Sequence, residues 1–265
     1  MRWSERQRAM LQVMGVRLFG TAPAVALPSS LAGLAAAPVG APAAALAPAP
    51  ASVARAAANV AGPALAAAPA LRPEIAMRDW PALRAAVADC RACSLCESRQ
   101  QTVFGIGHPR AHWMIVGEAP GEHEDAQGEP FVGESGKLLD NMLRALALTR
   151  QAGPPERQVF IANTLKCRPP KNRNPVPAET AQCAPFLERQ IALVQPRIIL
   201  AMGRFAAQAL LASDEPLGKL RGRVHAYRGV PVVVTYHPAY LLRTLTDKAR
   251  AWEDLCLAAS VVERH

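Results

Sequence analysis

An α/β fold, three layers deep with helices on both faces of a central, mainly parallel four-stranded sheet, is what this sequence predicts, on three observations. From about Pro73 onward, short β-branched or apolar runs alternate with amphipathic stretches. The runs are four to six residues long, a length that suits buried strands and is too short for helices. Polar residues of chemical interest fall just after these runs, where ligands bind at the carboxyl ends of open parallel sheets. Strands separated by helices make parallel pairing the expected topology.

Taken in order, His112-Trp113-Met114-Ile115-Val116 reads as the first strand. A helix follows from Gly133 to Leu148, in which Leu138, Leu139, Met142, Leu143 and Leu146 recur at helical spacing. Val159 to Ala162 is the second strand, and Pro177 to Val194 the second helix, with Phe186, Leu187, Ile191 and Leu193 facing inward. Arg197 to Met202 forms the third strand, and Phe205 to Leu211 a helix. Lys219 to Gly229 reads as a short basic hairpin, Val232 to Thr235 as the fourth strand, and Leu241 to Val261 as a closing helix.

The first part of the chain is different. Between Thr21 and Ala70, 32 of 50 residues are Ala or Pro and the only charge is Arg55, so no close-packed core can form there. The expected organisation is a short basic segment over 1–20, a disordered Ala/Pro-rich linker over 21–72, and one catalytic domain over 73–265. Arg2, Arg6, Arg8 and Arg17 interrupt any signal-type apolar stretch, and proline breaks the Ala-rich run, so no membrane association is expected. Six cysteines without an export signal point to a reducing compartment, and the cytoplasm is the expected location. Of the formal charge of +9, residues 1–75 account for six Arg and two Glu, leaving +5 on the remaining 190 residues. That excess suits a polyanionic partner.

Four cysteines dominate the chemistry. Cys90 and Cys93 form a C-x-x-C pair, and Cys167 and Cys183 a wider pair downstream. Four thiolates drawn from both ends of a domain suggest a bound metal, and spacing alone leaves zinc and a [4Fe-4S] cluster open. Cys96 could replace one of the four, while Cys256 falls on the apolar side of the last helix. Gly117-Glu118-Ala119-Pro120-Gly121 is a strand-to-loop turn whose glycines let backbone approach a ligand, and it lacks the Gly-Lys-Ser/Thr ending of a nucleoside-triphosphate loop. Phe131 offers a stacking face and Asn163 an amide matched to a pyrimidine edge. Glu118, Asn163, Gly203 and His237 each follow one of the four strands. Arg168, Lys171, Arg173, Arg221, Arg223 and Arg243 lie in the nearest loops, where phosphate contacts would be made.

Taken together, C-x-x-C, Val103-Phe104-Gly105, Gly-Glu-Ala-Pro-Gly with Glu124-Asp125, Pro130-Phe131-Val132-Gly133, Asn163-x-x-Lys166-Cys167-Arg168-Pro169-Pro170 and His237-Pro238-Ala239-Tyr240-Leu241-Leu242-Arg243 resemble the family 4, iron-sulfur type uracil-DNA glycosylases. The likeness runs from about Met77 to Leu257. It implies that Cys90, Cys93, Cys167 and Cys183 hold a structural [4Fe-4S] cluster. It also implies a uracil pocket made by the Gly117-Glu118-Ala119 backbone, Phe131 stacked on the base, Asn163 on its edge and His237 on the opposite side. Leu241 resembles the residue that related enzymes push into the vacated base stack, with Arg168, Arg173 and Arg243 contacting DNA. Residues 1–75 lie outside the likeness, and their segment is left as a possible docking point for another protein on an otherwise monomeric enzyme.

The expected chemistry is hydrolysis of the N-glycosidic bond of a flipped-out uracil, leaving an abasic site. Asn163 would separate uracil from cytosine, Glu124 would wall off the methyl of thymine, and His237 would stabilise the departing base. Ala119 stands where better-known uracil glycosylases carry a water-positioning Asp, which makes Glu118 the first residue to test as the base. The competing expectation is a non-catalytic, metal-stapled DNA-binding module serving a polymerase, which would bind uracil-containing and normal DNA alike and yield no abasic product.

Overall fold

The computed structural model describes residues 73–264. The segments 1–20 and 21–72, with the expectations attached to them, lie outside the described residues. Six strands form one sheet: β1 (Ile106–Gly107), β2 (Trp113–Gly117), β3 (Phe160–Asn163), β4 (Ile198–Met202), β5 (Val224–Tyr227) and β6 (Val230–Thr235). Their order is β1-β3-β2-β4-β6-β5. The inner four are parallel, with Gly117 opposite Asn163, Val116 opposite Ala201 and Met202 opposite Thr235. These are the four strands expected from the sequence. Three of them are buried along their whole length, as strands covered on both faces must be.

Two edge strands correct the expected count of four. Each pairs antiparallel, β1 with β3 and β5 with β6. The first has only two residues, too few for any periodicity; Gly105 precedes it and Gly107 ends it, both at positive φ. A Cβ at Gly105 would stand 2.8 Å from the carbonyl oxygen of Ile161, so only glycine allows this close approach. The expected basic hairpin is real only in its second half. Leu217–Leu220 forms a helical turn, and the hairpin itself runs through β5 and β6 around Arg228 and Gly229.

Alternation along the strands builds two cores. On one face Ile115, Ile161, Leu200 and Val233 pack under the helices Glu134–Ala145 and Lys248–Val262. On the other, Met114, Val116, Phe160, Ala201 and Val234 meet the helices Trp80–Ala88, Pro177–Val194 and Arg204–Leu211. The expected closing helix is broken into three pieces, Pro238–Leu241, a 3₁₀ turn at Leu245–Asp247, and Lys248–Val262. Thr244 is non-helical (φ −120°, ψ 79°), and the Tyr240 hydroxyl donates to Asp247 at 2.7 Å across the break. The break turns Leu242 and Leu245 toward solvent. Among the described residues no helix is long and apolar enough to cross a membrane.

Candidate active site

At the carboxyl ends of the four parallel strands lies a cleft of about 700 Å³. Glu118, Ala119 and Gly121 line it from the end of β2, Asn163 from β3, Gly203 and Arg204 from β4, and Tyr236 and His237 from β6. Glu124, Phe131, Arg173 and Arg243 complete the set of sequence-predicted residues on its walls.

The loop after β2 is fixed by continuing the β2–β3 ladder past the sheet. Thr164 N–H donates to Gly117 O at 3.0 Å, Leu165 N–H to Glu118 O at 3.1 Å, and the Thr164 hydroxyl to the same Glu118 carbonyl. Gly117 itself has no room for a side chain, since a Cβ there would reach to within 2.7 Å of the Phe131 ring and crowd the Asn163 amide. Burial pushes the Glu118 carboxyl up to about 6, with Arg204 pulling the other way.

Phe131 is buried and holds a left-handed backbone at φ 55°, a strain of about 1–3 kcal/mol that neighbours must offset. Arg150 supplies part of that, donating from one nitrogen to Pro130 O at 3.0 Å and Phe131 O at 2.9 Å. Glu124 braces the same loop. Its carboxylate accepts from Gly121 N–H at 3.0 Å, Val132 N–H at 3.0 Å and Gly133 N–H at 3.4 Å. Glu124 was expected to screen the thymine methyl, but its carboxylate is occupied in tying the Gly121 turn to the Phe131 loop.

His237 caps the short helix Pro238–Leu241, and its Nδ1 accepts from Ala239 N–H at 3.2 Å. That bond makes Nδ1 the acceptor and leaves the proton on Nε2. Burial, reinforced by Arg243 and opposed by Glu124, pushes the imidazole down to about 4, so it is neutral at physiological pH. It is held as a neutral Nε2–H donor. Behind it Gly203, at φ 89°, passes so close that a Cβ would lie 3.1 Å from the His237 Cβ.

Several expected DNA contacts are placed differently. Leu241 is fully buried in the core beneath the cleft, because the fourth residue after the capping histidine comes around to the inner side of the turn. The neighbouring Leu242 and Leu245 are 42% and 61% exposed. Arg173 is forked onto buried Glu179, and Arg168 bonds Asn172 and reaches Glu122 at 3.4 Å. Arg221 pairs with buried Asp254 at 2.8 Å and stacks on Tyr236, which makes it a strut. Arg204, Tyr236 and the body of Tyr240 on the cleft wall were missed; for Arg204 the signal was its place directly after the strand-ending Gly203.

On the far side of the 163–167 segment, Cys90, Cys93, Cys96, Cys167 and Cys183 line one partly open cavity with Leu95, Leu165 and Phe186. Burial foremost pushes the Cys183 thiol up to about 12, and those of Cys93 and Cys167 upward. Such thiols ionise only when a metal takes the place of the proton. Arg99 donates to Cys167 Sγ at 3.0 Å and the Lys166 N–H to Cys183 Sγ at 3.3 Å, donors suited to thiolates. Among the described residues no three His, Cys, Asp or Glu groups close on a single ion. The donor set, several thiols with cationic donors beside them, suits a thiolate-held group. Cys256 lies elsewhere, packed against the core under the last helix, as its position in the sequence suggested.

Residues 104–256 match the model of the Uracil DNA glycosylase superfamily. This chain belongs to that superfamily. Its curated relatives within it include a type-4 uracil-DNA glycosylase of Archaeoglobus fulgidus, 40% identical over 164 residues, which span 59% of this chain and 79% of that protein. A type-4 enzyme of Thermotoga maritima is 38% identical over 182 residues, 67% of this chain and 92% of its own length. A type-5 uracil-DNA glycosylase of Pyrobaculum aerophilum stands at 33% over 184 residues, 58% and 80% of the two chains. The superfamily match covers β1 to β6, and so every strand end from which the cleft is built.

Proposed function

We infer that the chain is a type-4 uracil-DNA glycosylase, which extrudes uracil from DNA and hydrolyses its N-glycosidic bond. The observation that carries this reading is the convergence of Glu118, Phe131, Asn163 and His237 in one cleft from four strand ends and loops. Flipping the nucleotide costs about a few kcal/mol, least where uracil is mispaired. Exposed Leu242, the chain neighbour of cleft-lining Arg243, would enter the vacated stack in the role expected of Leu241.

In the pocket the base lies against Phe131, and Asn163 reads its edge. Oδ1 accepts from N3–H while the amide nitrogen donates to O4, a pattern cytosine reverses, leaving buried groups unpaired at about 1–3 kcal/mol each. As the glycosidic bond stretches, negative charge moves onto the uracil. The neutral His237 Nε2–H would donate to that charge, and a fixed donor of this kind is the largest catalytic contribution the site can make. Glu118, ionised above about pH 6, orients the water that attacks the sugar and faces the positive charge growing there. Exclusion of a 5-methyl group falls to the backbone wall that Glu124 braces.

Cys90, Cys93, Cys167 and Cys183 would hold a [4Fe-4S] cluster, which when bound supplies a structural clamp. The motif likeness to type-4 enzymes and the donors Arg99 and Lys166 beside the thiols support this reading. The remaining readings, a monomer in the cytoplasm whose catalytic domain begins near residue 73, follow from the sequence. The decisive experiment incubates a single-uracil oligonucleotide with the purified protein and treats it with alkali. Strand cleavage at the uracil supports the reading, and uncleaved DNA that is nevertheless bound with no preference for uracil would leave only a DNA-binding module.

A further inference from the structure

Between the cysteine cavity and the base pocket sits a lysine that the excision chemistry leaves unused. Lys166 is 2% exposed, and its ammonium donates to Asn163 O at 2.7 Å and to Gln190 Oε1 at 2.7 Å. Gln190 is itself fully buried and donates from Nε2 to Phe104 O at 2.8 Å. The Lys166 backbone N–H donates to Cys183 Sγ, and its carbonyl accepts from Val103 N–H at 2.8 Å.

Both acceptors of the ammonium are neutral, and among the described residues no carboxylate forms an ion pair with it. A buried charge without a counter-charge costs several kcal/mol. The fold places the compensation next door: Lys166 lines the cavity of the cysteine thiols, and Cys167 is its chain neighbour. Four thiolates leave the iron–sulfur group they hold net negative, so a cation at the cavity wall is stabilised when the group is in place. The same ammonium grips the carbonyl of Asn163, the residue that must present its amide to the pyrimidine. Ala119, on the wall of the base pocket, packs against the Leu95, Leu165 and Cys167 cluster from the other side.

We propose that Lys166 is a positioning residue that couples the thiolate-held group to the base pocket, its positive charge facing the thiolates and its hydrogen bonds holding the end of β3 so that Asn163 is set to read the base. The proposal rests on the four cysteines being cluster ligands.

The test uses anaerobically purified full-length protein and the variant Lys166→Met, which keeps the length of the side chain and removes the charge. Iron and sulfide are assayed first in the wild-type protein; their absence would refute the cluster reading itself, before any variant is made. For Lys166→Met the midpoint potential of the cluster is expected to move negative, because a nearby cation favours the reduced form. Single-turnover excision per iron-loaded chain should fall roughly tenfold or more, with weaker inhibition by free uracil and unchanged affinity for uracil-free DNA. An unchanged potential, or excision that matches wild type once normalised to iron, overturns the proposal. Should Lys166→Met fail to fold, Gln190→Leu leaves the ammonium in place and removes one of its acceptors. Weakened uracil inhibition in Gln190→Leu supports the proposal, and wild-type inhibition overturns it.

Discussion

The ring of Phe131 lies on the ring of His237, with centroids 5.3 Å apart and planes 25° from parallel. A base sandwiched between two parallel rings needs them about 7 Å apart, twice the stacking distance. Uracil therefore does not fit between Phe131 and His237 as they stand. With Nδ1 accepting from Ala239 N–H, the proton that His237 can offer is the one on Nε2.

His237→Ala should lower single-turnover excision by about 10²–10³, the cost of one preorganised donor at a developing anion. Uracil-DNA binding, measured by anisotropy, should survive. Excision at the wild-type rate in this variant would remove His237 from the mechanism.

The pH profile should have its acidic limb near pH 6, the value to which burial pushes Glu118, while His237 stays neutral down to about 4 and adds no limb between. Glu118→Gln should lose that limb along with most of the rate. Stability runs the other way. A carboxyl whose folded-state value is raised holds its proton more tightly in the fold, so its contribution is complete below the ordinary value of about 4.3 and is lost as pH rises through about 6. Glu118→Gln should thus melt higher than wild type at pH 7.5 and level with it at low pH; an equal melting temperature at both would contradict the burial argument.

Leu241 and Leu242 should separate folding from base flipping. Leu241→Ala opens a cavity in the core and should cost about 2–5 kcal/mol in denaturant titration. Leu242→Ala, at an exposed position, should leave stability within about 0.5 kcal/mol and slow excision from duplex DNA more than from single strands. Equal losses on both substrates would argue against a wedge.

Chelation and thiol replacement should report on the cysteine cavity. Cys167→Ser or Cys183→Ser should lose the visible absorbance and iron of the purified protein, whereas Cys96→Ser should keep both. Iron retained by Cys167→Ser with Cys96 intact, and lost when both are replaced, would show that Cys96 takes over as a ligand.

How much could be read directly differs between fold and site. The four inner strands were legible because full burial on both faces demands unbroken apolar runs, as in Ile198-Ile199-Leu200-Ala201. The edges were not, since the two residues of β1, one of them a glycine, carry no pattern, and β5 is half exposed. Likewise Glu118, Phe131, Asn163 and His237 stood out by type and by position after strands, but the service of Glu124 depends on three backbone N–H groups that are remote or unmarked in sequence.

The sequence by itself determined the parallel core, the two cysteine pairs and the polar residues at the strand ends, because burial and thiolate chemistry leave their mark on residue types at fixed spacings. Which leucine faces solvent, which arginines are already paired, and which imidazole nitrogen carries the proton were decided only by tertiary structure. Each depends on a partner, such as Asp254 for Arg221 or the Ala239 N–H for His237, whose proximity comes from the packing of the chain.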